Sequence, residues 1–260
     1  MGGHRVGGRH ADGLAVMRGA MGALARLMVI QGSWTYERLQ GVGVGFASLP
    51  LLEPLASDPA RYHAAVGRSA EYFNAHPYLT GIAVGAAARA ELDGVEGETV
   101  KRLKTALAGP LGSLGDQLFW IGVVPGVMGA TLVAVALGAG LPAVVVALAL
   151  YLVVRVATTA WGLRVGLKAG LGISTELRKS GLADAVRRVG LLAGFAVGAA
   201  LPLVAGWIAE GAHAAAVVVA VAIGTLGGLF AALARFRVPS SRRLTLAAMI
   251  GLLLWSWSVR

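Results

Sequence analysis

Four long apolar stretches in the second half of the chain constrain its fold more than any other feature. They run from Phe119 to Leu137, Pro142 to Trp161, Val189 to Ile208 and His213 to Leu233, and a weaker fifth runs from Leu244 to Trp257. An α-helix rises about 1.5 Å per residue, so about 20 residues cross a hydrocarbon core of about 30 Å. The first four stretches are long enough to span a bilayer, whereas the 14 residues of the fifth suit a short, tilted or buried segment better. Of the 260 residues, 57% are apolar and only 14% charged, against about 45–50% and about 25% in soluble domains. Most of this chain therefore belongs in lipid or inside a membrane protein.

The chain carries 23 Lys and Arg against 13 Asp and Glu, a formal charge of +10. In a soluble protein that excess would suggest a nucleic-acid partner, but the placement of the charges gives another explanation. Cytoplasmic loops of membrane proteins retain Lys and Arg, and short translocated loops lack them. Lys101, Arg102 and Lys104 precede the first stretch; Arg164, Lys168, Arg178, Lys179, Arg187 and Arg188 lie between the second and third; Arg235, Arg237, Arg242 and Arg243 follow the fourth. All thirteen fall on one side if the spans alternate, and the opposite turns, Gly138 to Leu141 and Ala209 to Ala212, contain neither residue type. Topology thus explains the charge, and no nucleic-acid partner is expected. Arg155 lies inside the second stretch, six residues before Trp161, and is expected to snorkel toward the cytoplasmic interface. The opening MGGHRVGGRHADG is Gly-rich and basic, with no secretory leader following it, so the N-terminus is expected in the cytoplasm. With no Cys, a disulfide framework, a thiol nucleophile and a Cys-built metal site are all excluded, and no cofactor or metal is expected.

Ten of the 13 acidic residues fall between Asp12 and Asp116, which divides the chain into a polar-spotted region, 1–116, and an oily transmembrane region, 117–260. The first region reads as helical but broken. Leu14, Met17, Met21, Leu24 and Met28 form one apolar stripe at helical spacing. Gly41 to Leu55 is apolar but carries Gly41, Gly43, Gly45, Pro50 and Pro54, the pattern of an irregular or re-entrant segment. Ser57 or Asp58 before Pro59 makes a good start for a helix that Pro77 is expected to end after His76. Tyr78 to Leu92 is small and apolar, with Gly81 and Gly85 spaced for close helix approach. The fold class is an all-α integral membrane protein: amphipathic and re-entrant helices first, then four to five transmembrane helices.

Three polar clusters interrupt these apolar surroundings: QGSWTYERLQ (Gln31 to Gln40), EYFNAHP (Glu71 to Pro77) and KTALAGPLGSLGDQLFW (Lys104 to Trp120). Each sets hydroxyl-binding groups beside an aromatic platform, a suitable lining for a sugar with its ring of hydroxyls and weakly apolar CH face. Polar groups at membrane depth are costly unless they face water or protein, which makes them functional candidates. The candidate substrate-binding set is Asn74, Glu71, His76, Asp116, Gln31 and Trp34, with Glu71 and Asn74 expected on one helix face. Structural alternatives exist for several. Glu37 with Arg38 and Arg68 with Glu71 can be ion pairs, Trp34, Tyr36 and Trp120 interfacial anchors, His76 a helix end, and Asp116 the N-cap of the first span. No GxSxG, HExxH or Walker-type loop is present, so the chain offers no catalytic constellation of its own.

At these three clusters the sequence resembles the IID component of the mannose/fructose/sorbose family of the bacterial sugar phosphotransferase system. The resemblance rests on the first two clusters and on K-x-x-L-x-G-P-L-x-x-L-G-D-x-L-F-W from Lys104 to Trp120, continuing more weakly through Trp161, Gly162 and Gly166; it departs from the family pattern at Thr35, Ala75 and Gln117. It implies a membrane subunit that forms, with a IIC subunit, the path for hexose uptake in a higher-order hetero-oligomer. It also implies phosphorylation of the sugar by the soluble IIB domain, charged from IIA, and no phosphorylated residue in this chain. A non-transporting scaffold or regulatory subunit of an incomplete system is the alternative.

Overall fold

The structure is a computed structural model that describes residues 19–209. Among these residues the elements are helical, and the extended backbone is limited to two isolated bridges, Thr35 with Leu39 and Leu39 with Phe73. Three helical segments are long and apolar enough to cross a membrane: Gly97–Ala136, Gly140–Lys179 and Leu182–Val204. They cover most of each of the first three apolar stretches; the fourth and fifth lie outside the described residues. The chain is an all-α membrane protein, as its composition demands.

The first of these segments departs from expectation in an informative way. Helix α5 (Gly97–Asp116) passes through a π-helical segment (Gln117–Val123) into α6 (Val124–Ala136) without a break. At about 1.5 Å per residue such a rod is about twice as long as a bilayer core is thick. Its N-terminal half therefore belongs to the packed polar region. Asp116 sits mid-rod and caps nothing, because Gln117 continues the helical backbone with φ −64° and ψ −43°. Gly109, Pro110, Gly112 and Gly115, residue types that commonly interrupt helices, are all inside α5.

Helix α4 (Thr80–Leu92) is buried on nearly every side and packs along the C-terminal half of α7 (Gly140–Ala169). Two glycine pairs make this contact possible. A Cβ on Gly81 would lie 3.0 Å from the Thr159 carbonyl oxygen, and one on Gly85 would lie 2.5 Å from that of Leu163. Gly162 and Gly166 reciprocate, facing Ile82 and Ala86. Small residues four apart on both helices bring the backbones together, which maximises dispersion contacts where lipid supplies no hydrophobic drive. The N-terminal half of α7 has the opposite surface: Val145, Val146, Leu148, Leu150, Leu152 and Val153 are all exposed.

The remaining helices shape the polar region. Residues 19–27, here α1, bury Ala23 and Leu27 together with Ile30, while Met21 is 72% exposed. The buried face is thus rotated from the expected Met stripe, because the small Gly19 and Gly22 lie against Pro50; Leu14 and Met17 lie outside the described residues. Arg26 ties α1 to α2 (Gly41–Leu52), donating to the Phe46 carbonyl at 2.9 Å with its guanidinium 4.4 Å from the Phe46 ring centroid. Helix α2 is regular, with a 3₁₀ turn at Glu53–Leu55, so the glycines expected to disrupt it serve close packing instead. Asp58 caps α3 (Pro59–Ser69), accepting from the Arg61 N–H at 3.1 Å.

Helix α3 stops at Ser69, seven residues before His76. The Lys104 ammonium holds that end, donating to the carbonyls of Arg68 at 2.6 Å and Ser69 at 2.9 Å. Orphan carbonyls at a helix C-terminus favour a cation. Phe73 is then drawn into an extended pairing with the segment before α2: its carbonyl accepts from Gln40 N–H and its N–H donates to the Arg38 carbonyl. Arg68 pairs with Glu91, bidentate at 2.7 and 2.8 Å, and Glu71 pairs with Lys101 at 3.1 Å, so the expected Arg68–Glu71 pair does not form. Glu37 and Arg38 form no ion pair with each other. Arg155 does not snorkel: it donates to the Met28 carbonyl at 2.5 Å, and its guanidinium lies 4.9 Å from the Tyr78 ring centroid. Protein groups replace the water an interfacial Arg would have sought.

Candidate functional site

Residues 70–79 connect α3 to α4, their stretch 74–77 lines a polar cavity as its floor, and two glycines let the segment lie there. Any Cβ at Gly41 would strike the Glu71 carbonyl, and any Cβ at Gly115 would overlap the His76 side chain. The segment is non-helical, so Glu71 and Asn74 do not share a helix face as expected. Asn74 faces the cavity, whereas Glu71 points away to Lys101.

His76 is 1% exposed and stacked on Phe119, with ring centroids 4.9 Å apart and planes 11° from parallel; Tyr78 and Trp120 pack at its edges. Burial pushes its imidazole pKa from 6.5 down to about 4, against the smaller opposing pull of the Asp116 carboxylate. Its Nδ1 accepts from the Tyr78 N–H at 3.3 Å. In the neutral ring the proton then resides on Nε2, which is buried without a partner among the described residues. His76 lines the cavity and does not end α3, which stops at Ser69.

The cavity has a volume of about 800 Å³. On one wall stand Gln31, Trp34 and Gln40; opposite them α5 and the π-helical segment contribute Gly109, Gly112, Ser113, Asp116, Gln117 and Trp120. The last six recur at helical spacing and lie on one face, and the two glycines leave room at its upper end. Gln31, Asn74 and Asp116 are exposed, and their side chains have no hydrogen-bond partner among the described residues. Gln40 differs: its amide donates to the Ala75 carbonyl at 2.6 Å and accepts from the Thr80 hydroxyl at 2.9 Å, which locks the floor in place. Trp34 is half exposed and set edge-on to Tyr36 at 5.4 Å. Such a lining offers free amide and carboxylate groups beside two indole faces, the chemistry needed to grip a polyhydroxylated solute.

Five of the six residues expected at the site therefore come together here, and Glu71 is the exception. Gln40, Ser113, Gln117 and Trp120 complete the lining without having been singled out as ligands. The signal for the last three was their helical spacing about Asp116, which becomes visible only once the helix is known to run through that residue.

Long apolar helices joined to a packed polar region with an open hydrophilic cavity define an integral membrane protein. Over residues 18–230 the chain matches the PTS system mannose/fructose/sorbose family IID component, and it belongs to that family. It is 29% identical over 181 residues to the fructose permease IID component of Bacillus subtilis (strain 168), covering 68% of this chain and 64% of that relative. It is likewise 29% identical over 185 residues to the PTS system mannose-specific EIID component of Escherichia coli (strain K12), covering 68% and 65%. The match thus spans just under two thirds of the length of these relatives. Among solved structures, a chain of the cryo-EM structure of the mannose transporter ManYZ with microcin E492 aligns with a TM-score of 0.55 at 26% identity, covering 70% of this chain and 68% of that one. Another, described as a membrane protein, aligns with a TM-score of 0.63 at 26% identity, covering 71% and 70%.

Proposed function

We propose that this chain is the IID subunit of a hexose-transporting phosphotransferase system. With a IIC subunit it forms the path for a mannose-type sugar, whose phosphorylation by IIB, charged from IIA, is coupled to uptake at the inner membrane. Asn74, His76, Asp116, Gln31 and Trp34 contact or frame the sugar, joined by Gln117 and Trp120. Glu71 acts indirectly, through its pairing with Lys101 beside the floor segment. Residues 1–116 supply most of the path and 117–260 most of the lipid anchor, with Gln117 and Trp120 crossing that division.

The observation that carries this reading is the set of unpartnered polar side chains around an open cavity in an apolar membrane protein. A scaffold has no need to gather Gln31, Asn74 and Asp116, all exposed, around one open cavity. In a complex reconstituted with its IIC partner, Asn74→Ala should weaken hexose binding by about 5- to 150-fold, the loss of one well-placed hydrogen-bonding group worth about 1–3 kcal/mol. Unchanged affinity would remove Asn74 from the site, and unchanged uptake in a strain lacking other sugar permeases would favour the scaffold.

A further inference from the structure

Beside the polar cavity lies an apolar one. Between α6 and α7 a cleft of about 450 Å³ is lined by Val124, Val127, Met128, Leu132, Val144 and Leu148. Trp120 lines both spaces. Tyr151, at the cleft, shares a hydrogen bond with Tyr78 (oxygens 2.7 Å apart), and Tyr78 packs edge-on to His76, with ring centroids 4.9 Å apart. Three aromatic side chains thus separate a hydroxyl-binding space from a hydrocarbon-binding one. The Trp120 indole is 48% exposed, and its N–H has no partner among the described residues. An indole suits such a boundary, since its ring is apolar and its N–H is polar. Both walls of the cleft belong to segments long and apolar enough to span a membrane, so an alkyl group can reach it from the hydrocarbon region without crossing water.

Resting on the reading of the cavity as a sugar site, we propose that this site accepts amphiphilic glycosides. The hydroxylated ring sits in the polar cavity, and a single alkyl chain crosses the edge of Trp120 into the α6–α7 cleft. A free hexose uses only the first space; an alkyl glycoside uses both. Measured from water, each methylene favours the bilayer and the cleft alike by about fourfold, so the cleft's own contribution, from packing contacts, is the rise in binding with chain length beyond that of empty nanodiscs until the cleft is full.

The test uses the full chain in lipid nanodiscs, with any subunit that co-purifies, and a series of methyl, butyl, hexyl and octyl mannosides against empty nanodiscs. Affinity is expected to climb with chain length and then level off. Leu148→Trp, which fills the cleft, should flatten the series while leaving methyl mannoside binding unchanged; Val144→Phe serves the same purpose if Leu148→Trp fails to fold. A series that is flat in the wild type, or equally steep in both variants, overturns the proposal while leaving the sugar site intact. If n-octanol displaces octyl mannoside and methyl mannoside does not, the cleft acts alone and the proposal is wrong. If neither free mannose nor any mannoside binds, the sugar reading itself fails and the proposal falls with it.

Discussion

His76 shows how a single side chain acquires its character from its neighbours. In sequence it is an imidazole before a proline; in the structure Phe119, Tyr78 and Trp120 enclose it, and burial holds its pKa near 4. The unfolded chain binds a proton here between about pH 6.5 and pH 4, and the folded chain does not. The stability contributed by a neutral His76 is therefore complete above about pH 6.5 and is lost as pH falls through that window. In detergent solution, wild-type protein should lose more thermal stability between pH 7 and pH 5 than His76→Gln does. Parallel losses would show that His76 titrates normally. The residue type and its polar surroundings were legible in the sequence. Its protonation state was not, because the aromatic enclosure comes partly from residues about forty positions away, at Phe119 and Trp120.

At the scale of elements, the α4–α7 contact carries the strongest structural demand. Gly85 and Gly166 each abut the partner's backbone, so any larger side chain must push the helices apart. Overpacking typically costs about 1–3 kcal/mol, and rigid backbone on the opposing side places Gly85→Leu and Gly166→Leu at or beyond the upper end. Both variants should show a lower unfolding temperature or fail to yield monodisperse protein. Gly67→Ala in α3 provides the control, since nothing lies within 4 Å of the added methyl. It should be neutral or stabilising by about 0.5–1 kcal/mol, because alanine loses less entropy in a helix. Equal behaviour of all three variants would refute the close-packing account. The Gly81–Gly85 spacing announced this contact. The end of α3 announced nothing comparable: Ser69 looks like a helix interior, and only Lys104, supplied by α5, explains why the helix stops there.

For the molecule as a whole, the prediction concerns sidedness. The α6–α7 turn at residues 137–139 is uncharged, while the connection from α7 through α8 (Ile173–Lys179) to α9 (Leu182–Ala209) carries Arg178, Lys179, Arg187 and Arg188. We expect that second connection in the cytoplasm. The chain has no Cys, so single substitutions report position cleanly. Gly138→Cys should react with an impermeant thiol reagent on intact spheroplasts, and Ser180→Cys only after permeabilisation. The reverse pattern would invert the topology and place the opening of the chain outside.

The sequence by itself determined that this chain is a helical membrane protein, where three of its long apolar helices run, and which three clusters concentrate polar groups. These properties are sums over neighbouring residues, and hydrophobicity and charge add along the chain whatever the fold. Only the tertiary structure decided that the helix runs unbroken past Asp116, that Glu71 turns to Lys101 while Asn74 turns to the cavity, that Gln40 braces the floor, and that Trp120 divides a polar space from an apolar one. Each of those outcomes depends on a partner about thirty or more residues distant in the chain or on a break in helical register. A polar side chain's role is fixed by the one group it meets, and no average over its neighbours reveals which group that will be.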